Sequence, residues 1–127
     1  DFEVSIRTEK MRKENIPAMV IGRPPFKDMY WTISQMLTHH TINGCNLRSG
    51  DFYGSGTISG SEKNQLGSLL EVTEGGKTDI VFPSGEKRKF LKDGDEVIMK
   101  AWCGGGDDLI KIGFGECRSI ILSALEI

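Results

Sequence analysis

No two cysteines in this sequence stand close enough to form a CxxC pair. Cys45, Cys103 and Cys117 are odd in number and widely spaced, so a zinc site built from local ligands is not expected. Such sparse use fits reduced, half-buried thiols in a cytoplasmic protein. A nucleophilic cysteine served by His39 or His40 is the alternative, without a local signature to support it. No apolar run reaches membrane-spanning length, and the opening "DFEVSIRTEK" is charged and alternating, unlike a signal segment. A basic excess is missing too. Sixteen Lys plus Arg face eighteen Asp plus Glu, for a net charge of -2, which offers nucleic acid no electrostatic footprint. There is also no initial Met. The first residues already read as a strand, so the chain is expected to be a piece of a longer domain.

What is present describes one globular unit or part of one. The 127 residues are 38% hydrophobic and 27% charged, enough to bury a core. Phe2, Val4 and Ile6 alternate with polar residues, which predicts a strand over 2–9; "PAMVIG" predicts another over 17–22, with the charged run "EKMRKEN" as a solvated hairpin loop. Phe26, Tyr30, Ile33 and Leu37 then recur with helical spacing beside Met29 and Met36. This predicts one amphipathic helix of about three turns, with Asp28 at its start and Asn43-Gly44 at its stop. Beyond it come short β-rich segments, "FYGSGTIS", "LGSLLEVT", "TDIVF", "RKFL", "EVIMKAW", "IKIGFGE" and "RSIILSAL", punctuated by Gly-Gly, Ser-Gly and Asp-Gly. The expected fold is mainly β (α+β), a β-roll or sandwich with one amphipathic helix.

The run "LRSGDFYGSGTISG" (47–60) concentrates Gly50, Gly54, Gly56 and Gly60 with Ser55, Thr57 and Ser59. Glycines let backbone N–H groups approach a ligand, and hydroxyls suit a carboxylate or phosphate. A strand with bulges and close backbone packing explains the same composition. Neither a Walker loop nor a dinucleotide fingerprint fits. Glu71, among Leu69, Leu70 and Val72, is either on the solvated face of a strand or turned inward, where it could orient an imidazole. His39 and His40 point about 100° apart on a helix, poor geometry for a shared metal; at the helix end they complement the macrodipole. "KDGDE" (92–96) and "GGGDD" (104–108) read as exposed turns, the second a mobile loop.

"DMYWTISQMLTHHTINGCNLRSGDFYGSGTISG" (28–60) resembles the fumarylacetoacetate hydrolase family, whose core reads MYWT..QQLTHH..NGCNLR.GD...SGTISG. "GSLLE", "RKFLKDGDEVI" and "IGFGEC" follow in family order. The resemblance covers almost the whole chain. "THH..NGCNLR" and "SGTISG" favour the fumarylacetoacetate-cleaving branch over related acylpyruvate hydrolases, decarboxylases and hydratases, which share only a looser L-x-x-GD-x-x-x-x-GT core. Ser49 in place of the usual Pro, and a slightly longer "CGGGDDLIK" loop, are the departures.

The resemblance implies a mixed β-roll/sandwich of the family's C-terminal domain type over residues 1–127, a homodimer, and hydrolysis of a carbon–carbon bond in a β-diketo acid. The products would be fumarate and acetoacetate, at the last step of tyrosine and phenylalanine catabolism. It assigns Thr57 to substrate binding, which would make the glycine-rich run the holder of a substrate carboxylate. It assigns Glu71 to pairing with the catalytic histidine. Ca2+ and/or Mg2+ would be the cofactor of the complete enzyme. The family's water-activating histidine and its metal-binding acids precede these motifs, and neither His39 nor His40 matches that base. The chain is thus expected to need the N-terminal part of the same enzyme and to be inactive alone. A non-catalytic β module from the same family is the competing expectation.

Overall fold

The computed structural model describes residues 1–105 and 110–125; residues 106–108 of the "GGGDD" loop lie outside them. Four antiparallel strands form one sheet: β1 (Phe2–Arg7), β2 (Met19–Gly22), β5 (Glu96–Cys103) and β6 (Ile112–Ile120), in the order β2-β1-β5-β6. A two-stranded ribbon pairs β3 (Ile80–Val81) with β4 (Lys87–Arg88). Among the described residues three helices accompany them: α1 (Glu9–Lys13), α2 (Ile33–Thr41) and α3 (Leu69–Val72), with single 3-10 turns at Phe26–Asp28 and Lys63–Gln65. The class is the expected one, mainly β within α+β. Among the described residues no helix is long and apolar enough to cross a membrane.

The central strand explains the core. β1 pairs on both edges, with Val4 opposite Met99 and Ile6 opposite Val97, and its neighbours Ser5 and Ile6 are both buried. The charged run after it is not a solvated loop. Thr8 caps it by accepting the Met11 N–H at 3.2 Å, and the resulting turn of α1 drops Met11 into the core with Ile6, Ile80 and Phe82. Charge alone concealed that one apolar residue in the run. Ile16, Met19, Ile21, Leu69 and Val72 pack against the same cluster.

α2 starts later than its periodicity suggested. Thr32 and Gln35 form a capping box, which satisfies the first-turn N–H groups better than Asp28 could from the preceding 3-10 turn. The stop is where Gly44 takes φ +90°. The stripe is amphipathic but uncovered: Tyr30 is 84% exposed and Ile33 68%. Every residue of β6 is exposed, and Phe52 is bare at 99%. Apolar surface of this extent usually marks an interface. The segments 52–59 and 66–73, expected as strands, are an irregular run and a loop leading into α3.

The acids of "KDGDE" divide between turn and interior. Gly94 makes the turn at φ +83°, but Asp95 is fully buried. It accepts from Arg88 Nε at 2.9 Å and Nη2 at 3.1 Å, and from the Lys92 N–H at 2.9 Å. Arg88 also donates to Glu86 at 3.1 Å. Glu86 accepts from the Thr8 and Ser84 hydroxyls. The Thr8 hydroxyl, above all, then the Ser84 hydroxyl and the Arg88 guanidinium hold the Glu86 carboxyl below its ordinary range, against the opposing effect of burial.

A depressed folded-state pKa contributes stability that is present above the unfolded value and lost as pH falls through the folded one. We therefore expect the melting temperature to drop as pH is lowered from the ordinary carboxylate value of 4.5. Glu86→Gln should destabilise the protein at neutral pH and make that acid drop shallower. The surface carboxyls of Glu9, Glu71 and Glu116, also lowered, would keep it from vanishing. Thermal melts of both proteins across this range measure the difference; parallel curves would refute the role given to Glu86.

Candidate functional site

Glu71 stands at the third position of α3, and the core decides which way it faces. Leu69 and Val72, three residues apart, pack inward. Neighbours at i and i+3 share a helix face, so the intervening Glu71 is turned outward and is exposed. The helix begins at Ser68, whose hydroxyl accepts the Glu71 N–H at 3.3 Å and donates to Glu71 Oε2 at 2.7 Å. The S-x-x-E spacing is a helix-start signal and could have identified this helix from the sequence.

The glycine-rich run reaches the same carboxylate. The Ser59 hydroxyl donates to Glu71 Oε2 at 2.9 Å and accepts the Gly67 N–H at 3.1 Å. Close backbone contact makes this possible. A Cβ on Gly67 would overlap the Ile58 carbonyl, and one on Gly22 the Leu66 carbonyl. The 57–67 segment is further tied to the end of β2 by Arg23 N–H to Asn64 carbonyl at 2.7 Å. Donation by Ser68, then by Ser59, holds the Glu71 carboxyl below the usual carboxylate range, outweighing what burial adds in the other direction. Oε2 thus has two hydroxyl donors, while Oε1 has none among the described residues.

Thr57, two residues before Ser59, is exposed, and its methyl lies over Gly67. Gly50, Gly54 and Gly56 have open space where a side chain would be, and 47–57 contains no strand. The bulged-strand account of these glycines therefore fails; close packing holds at Gly60, where a Cβ would overlap the Gln65 side chain. The structure joins Glu71 to the run bearing Thr57 through Ser59. A cleft of about 690 Å³ lies elsewhere, between α2 and the start of this run, lined by Ile33, Met36, Leu37 and Tyr53 among others. Neither Thr57 nor Glu71 lines it. Its apolar wall is the uncovered stripe of α2, so it is not the place where the polar groups converge.

The two histidines sit in the last turn of α2, and neither hydrogen-bonds Glu71 among the described residues. All three cysteines are free and exposed rather than half-buried. No three His, Cys, Asp or Glu side chains among the described residues are grouped to hold a metal ion.

The family described as fumarylacetoacetate (FAA) hydrolase, C-terminal, matches residues 13–121. The chain belongs to this family. It is similar to fumarylacetoacetases: 46% identical over 124 residues to that of Homo sapiens, covering 98% of this chain and 29% of the human protein. Against that of Caenorhabditis elegans it is 48% identical over 124 residues, 98% of this chain and 28% of the relative. Against that of Oryza sativa subsp. japonica it is 47% identical over 116 residues, 91% and 26% respectively. The chain spans little more than a quarter of the length of these relatives.

The serine clamp has a direct spectroscopic consequence. Removing a donor to a carboxylate raises its pKa. In Ser59→Ala and Ser68→Ala the Glu71 carboxyl should titrate at higher pH than in the parent, with the larger change in Ser68→Ala. Carbon-detected NMR titration of the Glu71 side chain reads this; an unchanged midpoint in both variants would show that the hydroxyls do not hold the carboxylate.

Proposed function

We propose that this chain supplies one wall of the active site of a hydrolase that cleaves a carbon–carbon bond of fumarylacetoacetate, giving fumarate and acetoacetate. The observation carrying this reading is the Ser59–Glu71 hydrogen bond of 2.9 Å, which makes one local unit of two elements otherwise separate in sequence. In this reading Glu71 is a positioning residue. Its Oε2 is anchored by two serines, and Oε1 takes the N–H of an imidazole supplied from outside these 127 residues. An anchored, ionised carboxylate keeps that imidazole in the tautomer whose other nitrogen can take a proton from water. It also stabilises the imidazolium that results. The attacking water then adds to the carbonyl carbon. Thr57, exposed near this unit, donates its hydroxyl to a substrate carboxylate, and the open glycines leave room for the substrate's approach.

The metal ions implied by the resemblance would be held by residues outside the chain, and no step here runs through them. The exposed stripe of α2 and the bare β6 support an N-terminal part of the same enzyme, and a second copy of it, as the partners that cover them. The chain alone lacks the base and would not turn over.

Two variants in the longer polypeptide test the assignments. Glu71→Gln should lower kcat far more than it raises KM. A triad carboxylate contributes about 10⁴-fold, and a loss of about 10²-fold or more is expected here. Wild-type kcat in this variant would remove Glu71 from the mechanism. Thr57→Val keeps the shape and deletes one charge-assisted hydrogen bond, a contribution of about 1.5–3 kcal/mol, so kcat/KM should fall about 10- to 100-fold. An analogue lacking the terminal carboxylate should bind both proteins equally. The same loss for both ligands would mean that Thr57 shapes the fold and does not read the carboxylate.

A further inference from the structure

The turn that ends α2 brings a thiol onto an imidazole. At φ +90° Gly44 reverses the chain, and its N–H returns to the Thr41 carbonyl at 3.0 Å. Cys45, five residues after His40, then lies with Sγ 3.2 Å from His40 Nε2. Tyr53 meets the same ring edge-on, with centroids 5.1 Å apart and planes at 83°. The pair is exposed and opens into a hollow of about 480 Å³ shared with Asn46, Arg48 and Asp51. Arg48 and Asp51 are the charged groups facing it, and Asp51 is engaged by the Arg48 backbone N–H at 2.8 Å. Cys103 and Cys117 are exposed too, but both histidines of the chain are on α2. Accessibility is therefore common to the three thiols, and an imidazole contact distinguishes one of them.

A neutral thiol is a weak nucleophile, and a base within hydrogen-bond reach activates it by taking its proton as sulfur attacks. The position of His40 suits that task. The last carbonyls of a helix carry partial negative charge, which stabilises the imidazolium formed in the step. We propose that Cys45 and His40 are a nucleophile–base pair and that Cys45 is a modification site for soft carbon electrophiles. In this pairing the ring proton is placed on Nδ1, so that Nε2 accepts from the thiol. With an alkyl halide the Sγ–carbon bond forms as the carbon–halogen bond breaks, the halide leaves with the bonding pair, and the thiol proton passes to Nε2. With an α,β-unsaturated carbonyl compound the sulfur adds to the β-carbon, and the proton held by the imidazole goes to the α-carbon, with no leaving group. This pair is separate from the Glu71 site and does not depend on the hydrolytic reading.

The protein as its gene encodes it, treated with limiting iodoacetamide at neutral pH, tests the pair. Peptide mass spectrometry follows carbamidomethylation of each cysteine with time. General-base assistance contributes about 10²-fold or more in enclosed sites; in this open one Cys45 should react at least about tenfold faster in the parent protein than in His40→Gln. His39→Gln, in the same helical turn, should leave it unchanged. Cys103 and Cys117, on β5 and β6, serve as reporters of folding. An unchanged Cys45 rate in His40→Gln would overturn the proposal. Acceleration at all three cysteines in His40→Gln would mark unfolding of that variant; His40→Asn would then take its place, and an unchanged Cys45 rate there would overturn the proposal.

Discussion

The arrangement depends on one buried ion pair. Asp95 is fully enclosed and Arg88 only 10% exposed, at the junction where the β3–β4 ribbon meets the start of β5. A carboxylate in that position is tolerable only with its charge and lone pairs satisfied, and the fork of Arg88 with the Lys92 N–H does this. The consequences spread outward. Arg88 reaches Glu86, and Glu86 receives the hydroxyl of Thr8, the residue that caps α1. Asp95 also accepts, through its carbonyl, the Ile121 N–H at 2.9 Å, which fixes the chain just after β6. Removing one partner of such a pair costs about 3–5 kcal/mol, because the other is left buried and uncompensated. Asp95 of the "RKFLKDGDEVI" segment is accounted for here by folding, without a ligand.

That anchor reaches through the core to α3. With α1 held, Met11 joins Ile6, Ile80 and Phe82, and this cluster is what Leu69 and Val72 pack against. Their burial orients α3, and the orientation of α3 presents Glu71 to Ser59. A carboxylate on a single turn of helix would otherwise be mobile. Here its backbone is set by packing and its side chain by two hydroxyls. On the α2 side the balance is different: Tyr30, Ile33 and Phe52 contribute apolar area to solvent, and the local order there comes from caps, the Gly44 turn and the His40–Tyr53 contact.

Much was determined by the sequence alone. Alternation in Phe2, Val4 and Ile6 specified β1 because side chains in a strand alternate faces; Gly44, Gly85 and Gly94 marked turns because positive φ there excludes most side chains. The order of motifs from "DMYWT" to "IGFGEC" placed the chain in its family, and the family pattern singled out Glu71 and Thr57. Other features were decided by tertiary structure. Whether "EKMRKEN" was loop or helix turned on Met11 finding a pocket under Thr8, and whether Glu71 lay on a strand or a helix turned on Leu69 and Val72 finding the same core. Asp95 read as a turn acid until Arg88, seven residues earlier, was brought beside it. Ser59 became a partner of Glu71 only because the chain between them folds back at Gly67, where two backbones touch. Local pattern encodes periodicity and dihedral preference. Which face meets which, and which charge finds its counter-charge, are properties of distance in space that spacing along the chain does not contain.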